Sequence, residues 1–196
     1  MEKSMTVNIH CSKLEREDYS NSWRPLPYAL PSVTFRTRVY DATASGPNPY
    51  QWKNLTSWDL FAGGRVLIFS LPGAFTPTCD TFQLPRFEEL APEFYEKGIN
   101  DIYCVSVNDA FVMNQWAKSQ NLKHVTVLPD GSSEFTEAME MNVQKDNLGF
   151  GQRSWRYAVI ADNGNITDWF IEEGKDNNVE EDPYLYTNPE YILSKI

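Results

Sequence analysis

The sequence predicts an α/β fold with a mixed central sheet flanked by helices, and three observations carry that reading. Short, nearly continuous apolar runs at residues 66–71, 102–107 and 125–128 have the length of buried strands and are too short to cross a bilayer. Helical periodicity separates them. Phe87, Leu90, Ala91 and Phe94 fall at i, i+3, i+4 and i+7, and Phe111, Met113 and Trp116 give residues 110–120 an apolar side. Two later strands, 155–161 and 166–171, are joined by Asp162-Asn163-Gly164-Asn165, a hairpin signal. Alternating strands and helices followed by an antiparallel hairpin make a mixed sheet.

Each remaining element has its own local reason. Residues 1–31 carry Pro25, Pro27 and Pro31 with little periodicity, and read as a loosely packed or surface extension before one domain at 32–196. Val33, Phe35, Thr37 and Val39 alternate with Thr34, Arg36 and Arg38, the pattern of a half-buried strand. After a Gly/Pro turn at 43–49, residues 50–55 return as a short strand. Thr56 or Ser57 caps a short helix through Phe61, which Gly63-Gly64 ends. Pro72-Gly73 stops the strand 66–71, and Phe75-Thr76-Pro77-Thr78 forms a tight loop leading into a helix that Gly98 ends. Pro85 kinks that helix unless it falls in the first turns. Asn108-Asp109 caps the helix 110–120, Pro129-Asp130-Gly131 is a turn, and 135–141 suggests a short helix. Leu148-Gly-Phe-Gly151 matches neither G-x-G-x-x-G nor a Walker loop, so no nucleotide is assigned to it. The acidic run 172–182 reads as a solvated loop, and Asn188 caps a last helix with Pro189 at its first position.

Composition excludes several function classes. A net charge of −10 argues against nucleic-acid or anionic-membrane binding. Residues 1–10 lack the apolar core of a signal peptide, so a cytoplasmic location is expected. The cysteines Cys11, Cys79 and Cys104 form neither C-x-x-C nor a zinc-ligand set, and their odd number and wide spacing do not suit a disulfide framework. A reducing compartment with one reactive thiol fits better. Cys104 falls inside a buried strand and reads as core, while Cys11, beside His10, reads as a peripheral thiol or a resolving one.

Cys79 stands apart. It lies at or just inside a helix N-terminus, at the carboxyl end of a buried strand. Free N–H groups and the positive end of the helix dipole favour a thiolate there, and the thiolate is the nucleophile. A cysteine hydrolase would need a histidine partner for that thiol. His10 and His124, in the extension and at a strand start, are poorly placed for that role.

Pro72-Gly-Ala-Phe-Thr76-Pro-Thr-Cys79 contains P-x-x-x-T-x-x-C and resembles the active-site motif of peroxiredoxins, in the form found in the fifth subfamily, the type II enzymes of plants. Leu84-Pro85-Arg86, the segment from Val105 to Phe111, and Gly151-Gln-Arg-Ser-Trp-Arg-Tyr157 resemble the same subfamily. The likeness extends from about Val33 to Ile196 and is especially close to the peroxiredoxin half of bacterial peroxiredoxin–glutaredoxin hybrids. It implies a thioredoxin-like fold and reduction of hydrogen peroxide or alkyl hydroperoxides without a bound cofactor. Cys79 would be the peroxidatic cysteine, Thr76 would hydrogen-bond thiolate and peroxide, and Pro72 would shield the sulfur from water. Arg156 matches the family's catalytic arginine, with Arg153 a close competitor. A homodimer formed around the active-site loops is a further expectation from the family.

Two departures from the family matter, the residues that follow Cys79 and the lack of a late cysteine. Asp80 sits beside the sulfur, where like charge opposes the thiolate although the same carboxylate favours the helix N-terminus. Gln83 keeps hydrogen-bonding capacity but not basicity at a position where the family commonly has histidine. The C-terminal third lacks a resolving cysteine, which implies a one-cysteine mechanism completed by glutathione/glutaredoxin or thioredoxin. The alternative from another class is a peroxide sensor, a redox-relay interaction protein using the same cysteine.

Overall fold

The structure is a computed structural model that describes residues 7–10, 25–45 and 47–196. The first half contains β1 (Asn8–His10), β2 (Thr34–Tyr40), β3 (Tyr50–Thr56), α1 (Ser57–Phe61), β4 (Arg65–Leu71), a π-helical turn (Cys79–Gln83) running into α2 (Leu84–Glu96), and β5 (Asp101–Ser106). Then come α3 (Ala110–Ser119), β6 (Val125–Pro129), α4 (Glu134–Ala138), β7 (Asn142–Gln144), a 3-10 turn (Asp146–Leu148), β8 (Gln152–Ser154), β9 (Tyr157–Asp162), β10 (Asn165–Ile171) and α5 (Pro189–Leu193).

The main sheet has the order β1-β10-β9-β4-β5-β6, with β4 near its middle. β4, β5 and β6 are parallel, β9 runs antiparallel to β4, and β10 runs antiparallel to β9. The connection from β9 to β10 turns at Asn163 and Gly164, whose φ values of 47° and 79° are those of a type I′ hairpin. Successive side chains on a strand point to opposite faces. Leu67, Phe69 and Leu71 of β4 therefore meet the layer of α2, α3 and α5, while Val66 and Ile68 meet Phe35, Phe61 and Phe135 on the other side. Phe69 and Phe87 stack with ring centroids 3.9 Å apart in the helix-side core. Removing one of these rings leaves a dry cavity, so Phe87→Ala is expected to cost about 3–5 kcal/mol. A denaturant midpoint unchanged from the parent protein would contradict this.

The helix caps decide what local reading left open. Thr56, not Ser57, caps α1: its hydroxyl accepts from Asp59 N–H and the Asp59 carboxylate accepts from Thr56 N–H, a reciprocal capping box. Ser57 is buried and bonds Pro31 and Val33 instead. Asp109 caps α3 through the N–H groups of Phe111 and Val112. Pro85 is the second residue of α2, directly behind the π-helical turn Cys79–Gln83, so its missing N–H falls at the junction of the π-turn and α2. Phe111 departs from its expected place. Met113 and Trp116 are buried, but Phe111 is exposed, edge-on to Trp52 and beneath the Arg38 guanidinium.

Two segments are better organised than their composition suggests. Asn8–His10, within the stretch read as a loose or surface extension, pairs in parallel with β10, and His10 stacks on Phe170 and bonds Asp168. The acidic run at 172–182 is not simply a solvated loop. Glu172 is buried, and its Oε1 accepts from the Leu185 and Thr187 N–H groups and from the Thr187 hydroxyl, each at 2.8 Å. A carboxylate so bonded draws the chain back toward the carboxyl ends of the central strands.

Candidate active site

β4 ends at Leu71, and the chain then folds over the carboxyl edge of the sheet as residues 72–78. Asn108, at the end of β5, holds this loop: its Oδ1 accepts from Ala74 N–H at 2.9 Å and from the Ser106 hydroxyl at 2.7 Å. Phe75 takes the left-handed conformation, φ 62°, which is strained for a residue with a side chain. The helical path starts at Pro77, and Asp80 N–H bonds the Thr76 carbonyl at 2.8 Å. Within the π-turn the Leu84 N–H reaches back five residues to the Cys79 carbonyl. Such turns occur mostly where a helix is adapted to a function.

Cys79 is fully buried. Arg156, only 1% exposed, comes from the segment between β8 and β9 and places Nη1 3.4 Å from the Cys79 sulfur. The same Nη1 donates to Gln83 Oε1, and Nη2 donates to the Asp182 carboxylate. Burial works against the charged guanidinium, but the Cys79 sulfur and Asp182 outweigh it and hold the group above its ordinary pKa. The sulfur thus faces a permanent cation in a water-poor setting, where a charge-assisted donor is worth far more than in bulk water.

Arg153 occupies a different place. Its Nη1 donates to the Val107 carbonyl at 2.6 Å, and burial lowers its pKa. A Cβ on Gly73 would lie 3.8 Å from that nitrogen, so Arg153 buttresses the loop beside Gly73. The Thr76 hydroxyl donates to the Gly73 carbonyl at 2.8 Å, and Pro72 is half-buried in the same loop. Asp80 turns to α3, where its Oδ1 accepts from Trp116 Nε1 at 2.5 Å and Gln120 Nε2 at 2.8 Å. Cys104 is buried in β5, and that burial, with the neighbouring Cys79 sulfur adding to it, pushes its thiol well up. Cys11 lies outside the described residues.

The redoxin family profile matches residues 29–185. A peroxiredoxin of Rhizobium etli is 62% identical over 164 residues, covering 84% of this chain and 92% of the relative. The chain belongs to the peroxiredoxins. Hybrid peroxiredoxin hyPrx5 of Haemophilus influenzae is 45% identical over 84% of the chain and 63% of the relative, in keeping with the fifth, type II, subfamily. A solved structure of reduced Prx3 in complex with H2O2 from Vibrio vulnificus superposes with a TM-score of 0.71 at 34% identity, covering 88% of this chain and 96% of that one. The peroxiredoxin therefore has the thioredoxin-like fold expected of it and is a thiol peroxidase, an oxidoreductase.

Sequence reasoning did not place Gln83 and Asp182 together in this peroxiredoxin. Gln83 is fully buried, with its Nε2 lacking a partner among the described residues. Its position four residues after Cys79, on the same helical face, was a usable signal. Asp182 had none, because one acid in an acidic run looks like any other until Glu172 folds the run back.

Proposed function

We propose that this peroxiredoxin reduces hydrogen peroxide and alkyl hydroperoxides by a one-cysteine mechanism centred on Cys79. The observation that carries this reading is the buried Arg156 Nη1 at 3.4 Å from the Cys79 sulfur. The thiolate attacks one peroxide oxygen: an S–O bond forms and the O–O bond breaks. The sulfur is oxidised by two electrons to a sulfenic acid, and the second oxygen leaves as hydroxide or alkoxide and takes up a proton. Arg156 stays charged at every relevant pH, and its fork serves sulfur and peroxide oxygen together. The Thr76 hydroxyl turns from the Gly73 carbonyl to the peroxide, and Pro72 keeps water from the sulfur.

An external thiol then attacks the sulfenic acid, releasing water and leaving a mixed disulfide, which a second thiol reduces. Glutathione with glutaredoxin, or thioredoxin, supplies these thiols in a reducing cytoplasm, and no bound cofactor takes part. The buried, unactivated state of Cys104 supports resolution from outside. Phe75 and Phe82, 49% and 60% exposed beside the active-site turn, suit a homodimer contact at those loops. The test is a peroxidase assay with glutathione/glutaredoxin and with thioredoxin as electron donor. Multiple turnovers with at least one donor, retained when Cys11 and Cys104 are both serine, are expected. Peroxide consumption that stops after one equivalent with both donors would overturn the enzymatic cycle and favour a sensor.

A further inference from the structure

The geometry points to Asp182 as the positioning residue for Arg156: its carboxylate holds Nη2 and thereby aims Nη1 at the Cys79 sulfur. The inference rests on the peroxidase reading above and assigns the residue that sets the arginine's geometry.

A guanidinium is planar, so fixing one terminal nitrogen fixes the direction of the other. Nη2 is fixed by Asp182, and Nη1 faces both Cys79 and Gln83, while Nε has no partner among the described residues. Gln83 alone does not define the plane, because it shares Nη1 with the sulfur. Asp182 therefore supplies the second point that orients the fork.

The chain delivers this carboxylate by a built path. On one side of Asp182, the Asn178 N–H bonds the Gln144 carbonyl at 2.7 Å, and Lys145 Nζ bonds the Val179 carbonyl at 2.7 Å. On the other side, buried Glu172 grips Leu185 and Thr187. Asp182 thus lies between two anchors, and its side chain is 45% exposed while Arg156 is 1% exposed. The carboxylate also has a role that the sulfur lacks. The thiolate charge disappears when Cys79 becomes a sulfenic acid or a mixed disulfide, whereas the Asp182 carboxylate takes no part in that chemistry. The buried guanidinium keeps a counter-ion through the whole cycle and is still aimed when the thiolate re-forms.

A double-mutant cycle with Arg156 tests this, read as the single-turnover rate constant for oxidation of reduced Cys79 by hydrogen peroxide. Asp182→Ala is expected to lower that constant about tenfold or more, since small misplacements of a catalytic group carry losses of this size. Asp182→Asn, whose amide oxygen accepts the same bond, should recover most of the loss. Arg156→Met keeps the length of the stem and removes the fork. In that background Asp182→Ala should change the rate less than about twofold, because residues acting through one another are not additive. Equal factors for Asp182→Ala in both backgrounds, or equal rates for Asp182→Asn and Asp182→Ala, would overturn the proposal. Should Asp182→Ala not fold by circular dichroism, Asp182→Ser replaces it in the cycle with the same expectations. An Arg156→Met protein as fast as the parent would instead overturn the catalytic reading of Arg156, a result distinct from a failure of Asp182.

Discussion

Replacing Cys79 by serine is expected to abolish peroxide consumption, because a serine hydroxyl at this site is not ionised near neutral pH and cannot attack an O–O bond. The loss should appear in single-turnover and steady-state assays alike. Cys104→Ser is the control that gives the prediction its edge. Cys104 is buried in the central sheet, and the burial that pushes its thiol up keeps it protonated and unreactive. Its substitution should leave turnover largely intact even if it lowers stability, and a peroxidase that survives loss of Cys79 would remove the mechanism proposed above.

Arg156→Met should lower the rate of peroxide reduction by about 10²–10³-fold, the usual loss when a donor aimed at developing charge is removed. Methionine fills much of the same volume, so the expected signature is a slow but folded enzyme. The loss should fall on the oxidation step, where the leaving oxygen gains charge, and not on reduction of the sulfenic acid by thiol. Arg153→Met gives the contrast. Arg153 bonds the Val107 carbonyl and braces the loop near Gly73, so its removal should act on stability more than on the chemical step. Equal rate losses for the two variants would reverse the roles assigned to them.

Much of this architecture was legible because its signals are local. The hydrophobic run 66–71, the periodicity of α2, the Asp109 cap and the Asn163-Gly164 turn each declare themselves within a few residues. The loop before the buried thiol was equally plain through Pro72, Thr76 and Cys79. What stayed hidden depends on contacts across long separations. Arg156 and Arg153 lie in the same short stretch of sequence, and only folding puts one at the sulfur and the other at Val107. The π-turn is defined by a hydrogen bond five residues long, which no residue pattern announces. β1 owes its place to pairing with a strand near the other end of the chain. Asp182 became visible only through the buried Glu172 that turns its segment inward.

Asp80 carries one last consequence. Its carboxylate joins the first turn after Cys79 to Trp116 and Gln120 of α3. The sulfur is wholly enclosed, and the resolution from outside proposed above needs an external thiol to reach it. Under that proposal, opening the turn that carries Cys79 works against the hydrogen bonds by which Asp80 ties it to α3. On the same reading Asp80 acts as a clasp on that opening, and so on how long the oxidised enzyme waits for its reductant.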